Sequence, residues 1–146
     1  MKIAIGSDHG GFDLKEKIIA HLKERGDEVD DKGCFDKTSV DYPVYGKAVA
    51  ESVAGGEADK GIVVCTTGIG ISITANKVPG IRCALCSETV SAKYTRLHND
   101  ANVLALGGAF TGPIPALEIV DTFLDTPFSG EEKHQRRINM ISELDK

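Results

Sequence analysis

Ile62-Val63-Val64-Cys65-Thr66-Thr67-Gly68-Ile69-Gly70-Ile71-Ser72 reads as a strand, a glycine loop and the start of a helix. Three consecutive β-branched residues form a short apolar run of the kind buried on both faces of a parallel sheet, and the glycines interrupt it where a helix can begin. Cys65 therefore falls at the carboxyl end of the strand. In open α/β sheets ligands bind at that edge, and backbone amides at a helix N-terminus favour negative charge there. A cysteine so placed is either a small buried hydrophobe closing a strand or a thiol poised to become a thiolate.

The same alternation extends to both sides. Residues 2–6 read as a strand, followed by Ser7-Asp8-His9-Gly10-Gly11 and a helix whose Leu14, Ile18 and Leu22 recur every four residues until Gly26. Residues 28–31 form a weak strand, 32–43 a loop, and 44–54 a helix with Val49 and Val53 on one face, stopped by Gly55-Gly56. After the central strand come a helix over 69–78, a strand over 81–86, a helix over 87–98, a strand over 103–106 and a helix over 115–124. A last, strongly charged helix over 131–146 carries only Ile138, Ile141 and Leu144 as an apolar stripe.

Five strands alternating with helices imply an α/β, three-layer, Rossmann-like fold: a five-stranded parallel sheet with helices on both faces, because right-handed crossovers permit little else. The 146 residues make one domain, 1–146, with no repeat or linker. The last helix follows Thr126-Pro127. Its thin stripe and its basic cluster Lys133-His134-Gln135-Arg136-Arg137 suggest that it packs on a partner subunit and delivers cations there; the alternative is a solvated charged face.

With 22 acidic against 17 basic residues the net charge is −5, which gives no electrostatic support for a nucleic-acid or anionic-membrane surface. No apolar run approaches the roughly 20 residues of a membrane span, and Met1-Lys2 leads straight into a strand, so the chain is expected in the cytoplasm. Cys34, Cys65, Cys83 and Cys86 are then expected to be reduced. Cys83 and Cys86 lie three apart on a strand and point to opposite faces, which disfavours a shared metal.

In such a sheet the ends of the first, third and fifth strands lie together, bringing Asp8-His9, Cys65-Thr66-Thr67 and Gly107-Gly108 to one edge. His98 starts a connection at the opposite edge and should be far from Cys65 within one subunit, so that a two-fold dimer would be needed to join them. Three chemistries fit a glycine loop after a strand. Dinucleotide binding lacks the third glycine of G-x-G-x-x-G, where Ile73 stands. A cysteine phosphatase lacks the arginine that would hold phosphate, where Ile71 stands. In a proton-transfer isomerase, Cys65 would abstract a proton next to a sugar carbonyl while amides of residues 66–70 hold the enediolate oxygen. No cofactor or metal is required for it.

Gly6-Ser7-Asp8-His9-Gly10-Gly11, Asp41-Tyr42-Pro43, the loop Cys65 to Ser72, Asn76-Lys77 and His98-Asn99-Asp100-Ala101-Asn102-Val103-Leu104 together resemble ribose-5-phosphate isomerase type B over nearly the whole chain. The resemblance implies an aldose-ketose isomerase interconverting ribose 5-phosphate and ribulose 5-phosphate, a homodimer or pair of dimers with shared active sites. By motif position it makes Cys65 the base and His98 the ring-opening acid from the partner. Asp8 assists with sugar hydroxyls, His9 faces the phosphate, and Tyr42 and Asn99 line the sugar. The amides of Thr66, Thr67, Gly68, Ile69 and Gly70 form the anion hole, and Lys133 and Arg137 bind phosphate. His21 and His134 are left as structural or peripheral. Two departures stand out: Lys133 replaces an arginine and loses its planar fork, and Ala109 stands where the family commonly has a third phosphate-contacting arginine. Allose 6-phosphate, galactose 6-phosphate or a free sugar are the alternative substrates, and a non-catalytic phosphosugar-binding module is the alternative function.

Overall fold

In a computed structural model that describes residues 1–145, five strands pair only in parallel: β1 (Lys2–Ser7), β2 (Glu28–Gly33), β3 (Lys60–Cys65), β4 (Cys83–Leu85) and β5 (Val103–Gly107). Their order across the sheet is β2-β1-β3-β5-β4. Six helices connect and cover them: α1 (Phe12–Arg25), α2 (Tyr42–Ala54), α3 (Ile69–Asn76), α4 (Thr89–Asn99), α5 (Pro113–Asp125) and α6 (Glu132–Ser142).

Strand alternation sorts the core into two layers. Ile3, Ile5, Ile62, Val64, Leu104 and Leu106 pack with Leu14, Ile18, Ile119 and Phe123 of α1 and α5. Ala4, Val63, Cys65, Val103 and Ala105 pack on the other face with Val49, Ile71 and Ala75 of α2 and α3. The three-layer expectation is thus met, and the Cys65 side chain points to the α2/α3 side. Cys83 and Cys86 fall on opposite faces, as their spacing requires.

Several boundaries differ from the sequence reading for identifiable reasons. α2 begins at Tyr42 rather than at residue 44, because Pro43 occupies its first turn, where a missing N–H costs nothing. β4 has three residues instead of six: the Arg82 N–H donates to Asn102 Oδ1 (2.8 Å) and the Cys83 N–H to Asn76 Oδ1 (2.7 Å), so side chains replace the outer ladder. α3 ends at Asn76, two residues early, for the same anchoring of Asn76. α6 stops at Ser142 and a 3₁₀ turn (Glu143–Asp145) follows; residue 146 of the expected helix lies outside the described residues. α6 lies against α4 of its own chain, burying His134 and Ile138.

Candidate active site

Three turns meet where β3 ends. The Asp8 N–H donates to the Val64 carbonyl (3.2 Å), the Gly108 N–H to the Cys65 carbonyl (2.8 Å) and the Ala109 N–H to the Thr66 carbonyl (2.9 Å). The segments after β1 and β5 are thereby joined to the loop after β3. The approach requires glycine: a β-carbon on Gly10 would collide with Thr66 Oγ1, and one on Gly107 would lie 2.5 Å from the Thr67 carbonyl oxygen.

Asp8, His9, Tyr42, Cys65, Thr66, Thr67, Ile69 and Gly70 line one open cavity of about 430 Å³. Cys65 is 4% exposed, and its Sγ accepts the Gly68 N–H at 3.1 Å. That bond is charge-assisted when the sulfur is a thiolate. Gly68 caps α3 with φ +79°, a left-handed conformation, and a β-carbon there would also lie 2.8 Å from the Leu106 carbonyl carbon. The Ile69 N–H is taken by Thr67 Oγ1 (3.2 Å), so the loop amides left without an acceptor among the described residues are those of Thr66, Thr67 and Gly70. Gly68 serves the sulfur.

The neighbouring polar groups are held in defined states. Asp8 is buried and its Oδ1 accepts the Gly11 N–H (3.0 Å), capping the short 3₁₀ turn ahead of α1; Oδ2 has no partner among the described residues. His9 accepts the Val40 N–H on Nδ1 (3.2 Å), which leaves the ring proton on Nε2. His9 is therefore an exposed N–H donor, as an anion requires. Tyr42 lies directly on the Gly70 backbone: a β-carbon on Gly70 would be 2.7 Å from the phenolic oxygen.

His98, Asn99, Lys133 and Arg137 form a second group, away from that cavity. His98 sits in the last turn of α4, and the chain turns at Asp100 (φ 45°) into the start of β5. Cys65 pairs with Gly107 at the other end of that strand. Four strand steps of roughly 3.3 Å separate the two levels by about 13 Å. His98 stacks on His134 of α6 with ring centroids 4.2 Å apart. Lys133 and Arg137, one helical turn apart, are exposed and make no ion pair among the described residues. Asn99 lines a cavity of about 580 Å³ together with Asn76, Lys77 and Arg82.

Residues 3–141 match the profile of the Ribose/Galactose Isomerase family. The chain belongs to that family. It is 51% identical to ribose-5-phosphate isomerase B of Escherichia coli over 99% of this chain and 96% of the relative, and 45% identical to galactose-6-phosphate isomerase subunit LacB of Clostridium acetobutylicum over 99% and 83%. A solved structure of Clostridium thermocellum ribose-5-phosphate isomerase B superposes with a TM-score of 0.97 at 54% identity, covering 99% of this chain and 97% of that one.

In this ribose/galactose isomerase chain the other thiols differ from Cys65 in setting. Burial pushes the Cys83 thiol up to about 12 and the Cys86 thiol up to about 11, which keeps both protonated. Cys34 is buried against Ser7. The residue that sequence reasoning passed over is His134. It stands in the basic cluster Lys133 to Arg137, which the sequence suggests faces a partner subunit, yet its ring is turned inward on its own chain; the i, i+4 relation to Ile138, also buried, signals that face. Ala109 is exposed beside Thr66.

Proposed function

We propose that residues 1–146 act as one sugar-phosphate isomerase domain that interconverts ribose 5-phosphate and ribulose 5-phosphate by proton transfer through an enediolate. The observation that carries this reading is the Cys65 sulfur, bonded to the amide of Gly68, the cap of α3, inside the cavity that Asp8, His9 and Tyr42 share. The Cys65 thiolate takes the C2 proton of the open-chain aldose, whose electron pair forms the C1–C2 enediolate with charge on O1, and returns a proton to C1 while the O2 hydroxyl proton passes to O1 and the C2 carbonyl forms. The Thr66, Thr67 and Gly70 amides face the oxygen on which charge develops. Tyr42 and Asp8 hold sugar hydroxyls and His9 donates to the phosphate.

Ribose 5-phosphate arrives as a furanose, so an acid is needed before proton transfer can begin. We assign it to the partner's His98. As the C1–O4 bond breaks, its electron pair goes to O4, which takes the imidazolium proton, and the O1 hydroxyl releases its proton to Asp8 or water to leave the C1 carbonyl. Asn99 lines the sugar, and Lys133 and Arg137 meet the phosphate across the same interface. Two observations support a homodimer: the candidate residues divide into two groups at different levels of one chain, and exposed Ile69, Leu85 and Phe110 line an apolar hollow beside Thr67 that a second subunit would cover. We infer a cytoplasmic setting from four free cysteines; among the described residues no helix is long and apolar enough to cross a membrane.

Ketose formation from ribose 5-phosphate, allose 6-phosphate and free ribose, followed side by side, tests the substrate. Ribose 5-phosphate should be turned over with the highest kcat/KM; a better six-carbon phosphosugar would displace it, and binding without turnover of any sugar would leave a binding module. Ala109→Arg should lower KM for ribose 5-phosphate by about one to two orders of magnitude with little change in kcat. A charge-assisted hydrogen bond is worth about 1.5–3 kcal/mol, and a phosphate remote from the transferred proton is held alike in ground and transition states. A raised KM in that variant would mean that the space beside Ala109 accommodates a larger substrate.

A further inference from the structure

α6 is a polar helix from which only His134 and Ile138 are buried. Its ring lies nearly parallel to that of His98, 18° between planes, with centroids 4.2 Å apart. On its edge, His134 Nε2 is 3.0 Å from Glu131 Oε2. The Glu131 carboxylate thus lies beside the edge of the ring and favours positive charge there. Tyr94 meets His98 edge-on, with centroids 5.1 Å apart and 64° between planes. His98 thus lies between a ring from α6 and a ring from its own helix.

We propose that His134 is a positioning residue for the ring-opening step: stacked face to face on His98, its imidazole fixes the plane in which His98 presents its proton to the furanose ring oxygen. The proposal rests on the reading of His98 as the ring-opening acid. An imidazole suits this place better than an aliphatic side chain. Its π-face stacks on neutral His98 and is attracted to the imidazolium that His98 becomes when it carries the proton, so the same contact serves both halves of the proton cycle. The pair must not both be charged. Burial, then the nearby His98, and then Lys133 and Arg137 push His134 below the ordinary histidine value, while Glu131 opposes them. A charge on His134 is thus disfavoured beside His98.

The two directions of the reaction separate this role from general support of α6. Ribulose 5-phosphate has its O5 esterified and cannot close a five-membered ring, so exchange of its C1 hydrogen with solvent deuterium requires only Cys65 and the anion hole. Turnover of ribose 5-phosphate requires ring opening as well. His134→Ala should lower kcat for ribose 5-phosphate by roughly 10- to 100-fold, the cost of a misplaced catalytic group, while C1 deuterium exchange in ribulose 5-phosphate stays within about twofold of wild type on the same basis. His134→Phe, which keeps a flat ring of similar size, should recover most of the lost turnover. It also provides a folded comparison if the alanine variant is unstable. Equal losses in both reactions, or no loss of ribose 5-phosphate turnover in His134→Ala, would overturn the proposal. His98→Asn run in parallel distinguishes the two levels of the argument: if it too leaves ribose 5-phosphate turnover intact, the assignment of His98 as acid fails; if it shows the split and His134→Ala does not, only the role of His134 fails.

Discussion

Cys65→Ala should fold like the wild type and lose isomerisation of ribose 5-phosphate by roughly 10²- to 10⁴-fold, the contribution of a positioned general base. Folding survives because the sulfur sits at the rim of the α2/α3 layer, and its removal leaves Val63, Ile71 and Ala75 in contact beneath it. Activity does not survive because nothing takes the place of the sulfur beside the Gly68 amide: Asp8, held through Oδ1 by the Gly11 amide, and His9, held by the Val40 amide, stay in the turn after β1. KM should change little, since Tyr42, His9 and the free amides of the loop remain. Steady-state kinetics and a thermal melt of the same sample check both halves of the expectation. Undiminished turnover would take Cys65 out of the mechanism.

Mixing Cys65→Ala with His98→Asn subunits should restore activity that neither parent has. In one chain His98 stands at the start of β5 and Cys65 at the level of its end, and the cavity around Cys65 takes no residue from α4 or α6. If a two-fold dimer joins the two groups, each site takes Cys65 from one subunit and His98 from the other. A heterodimer then has one site with both residues and one with neither. Random exchange at equal concentrations should recover about a quarter of wild-type activity, because half the dimers are mixed and half their sites intact. Mixtures as inactive as their parents, with exchange demonstrated by mass, would place each site within a single subunit.

Much of this arrangement is legible in the residues. The run from Ile62 to Ser72 identifies its strand, loop and helix because β-branched residues and glycines have opposed backbone preferences, and parallel crossovers then bring the ends of β1, β3 and β5 together. The separation of His98 from Cys65 follows from topology alone. What could not be read depends on side-chain partners. Asn76 and Asn102 shorten β4 by hydrogen bonds across turns, and periodicity carries no signal for these. Tyr42 looked like loop because Pro43 follows it, although proline in a first helical turn starts a helix as readily as it ends one. The loop amides divide between the sulfur, Thr67 and a ligand according to φ at Gly68. His134 is hidden by its neighbours: a basic run on a thinly apolar helix reads as a partner-facing or solvated surface, and only tertiary contact with α4 turns one ring inward.

The central claim is proton transfer through an enediolate with Cys65 as the base, and hydrogen tracing tests it most directly. Ribose 5-phosphate deuterated at C2 is converted in ordinary water, and the ribulose 5-phosphate formed is examined at C1 by NMR, for the wild type and for Cys65→Ala. A base that carries the proton while the enediolate waits exposes it to solvent, so the wild type should give solvent hydrogen at C1 in a measurable share of the product and a slowed reaction with the deuterated sugar. Cys65→Ala should form almost no product. Complete retention of the deuterium at C1, together with undiminished turnover in Cys65→Ala, would show direct transfer between the carbons without the thiol and would contradict the account.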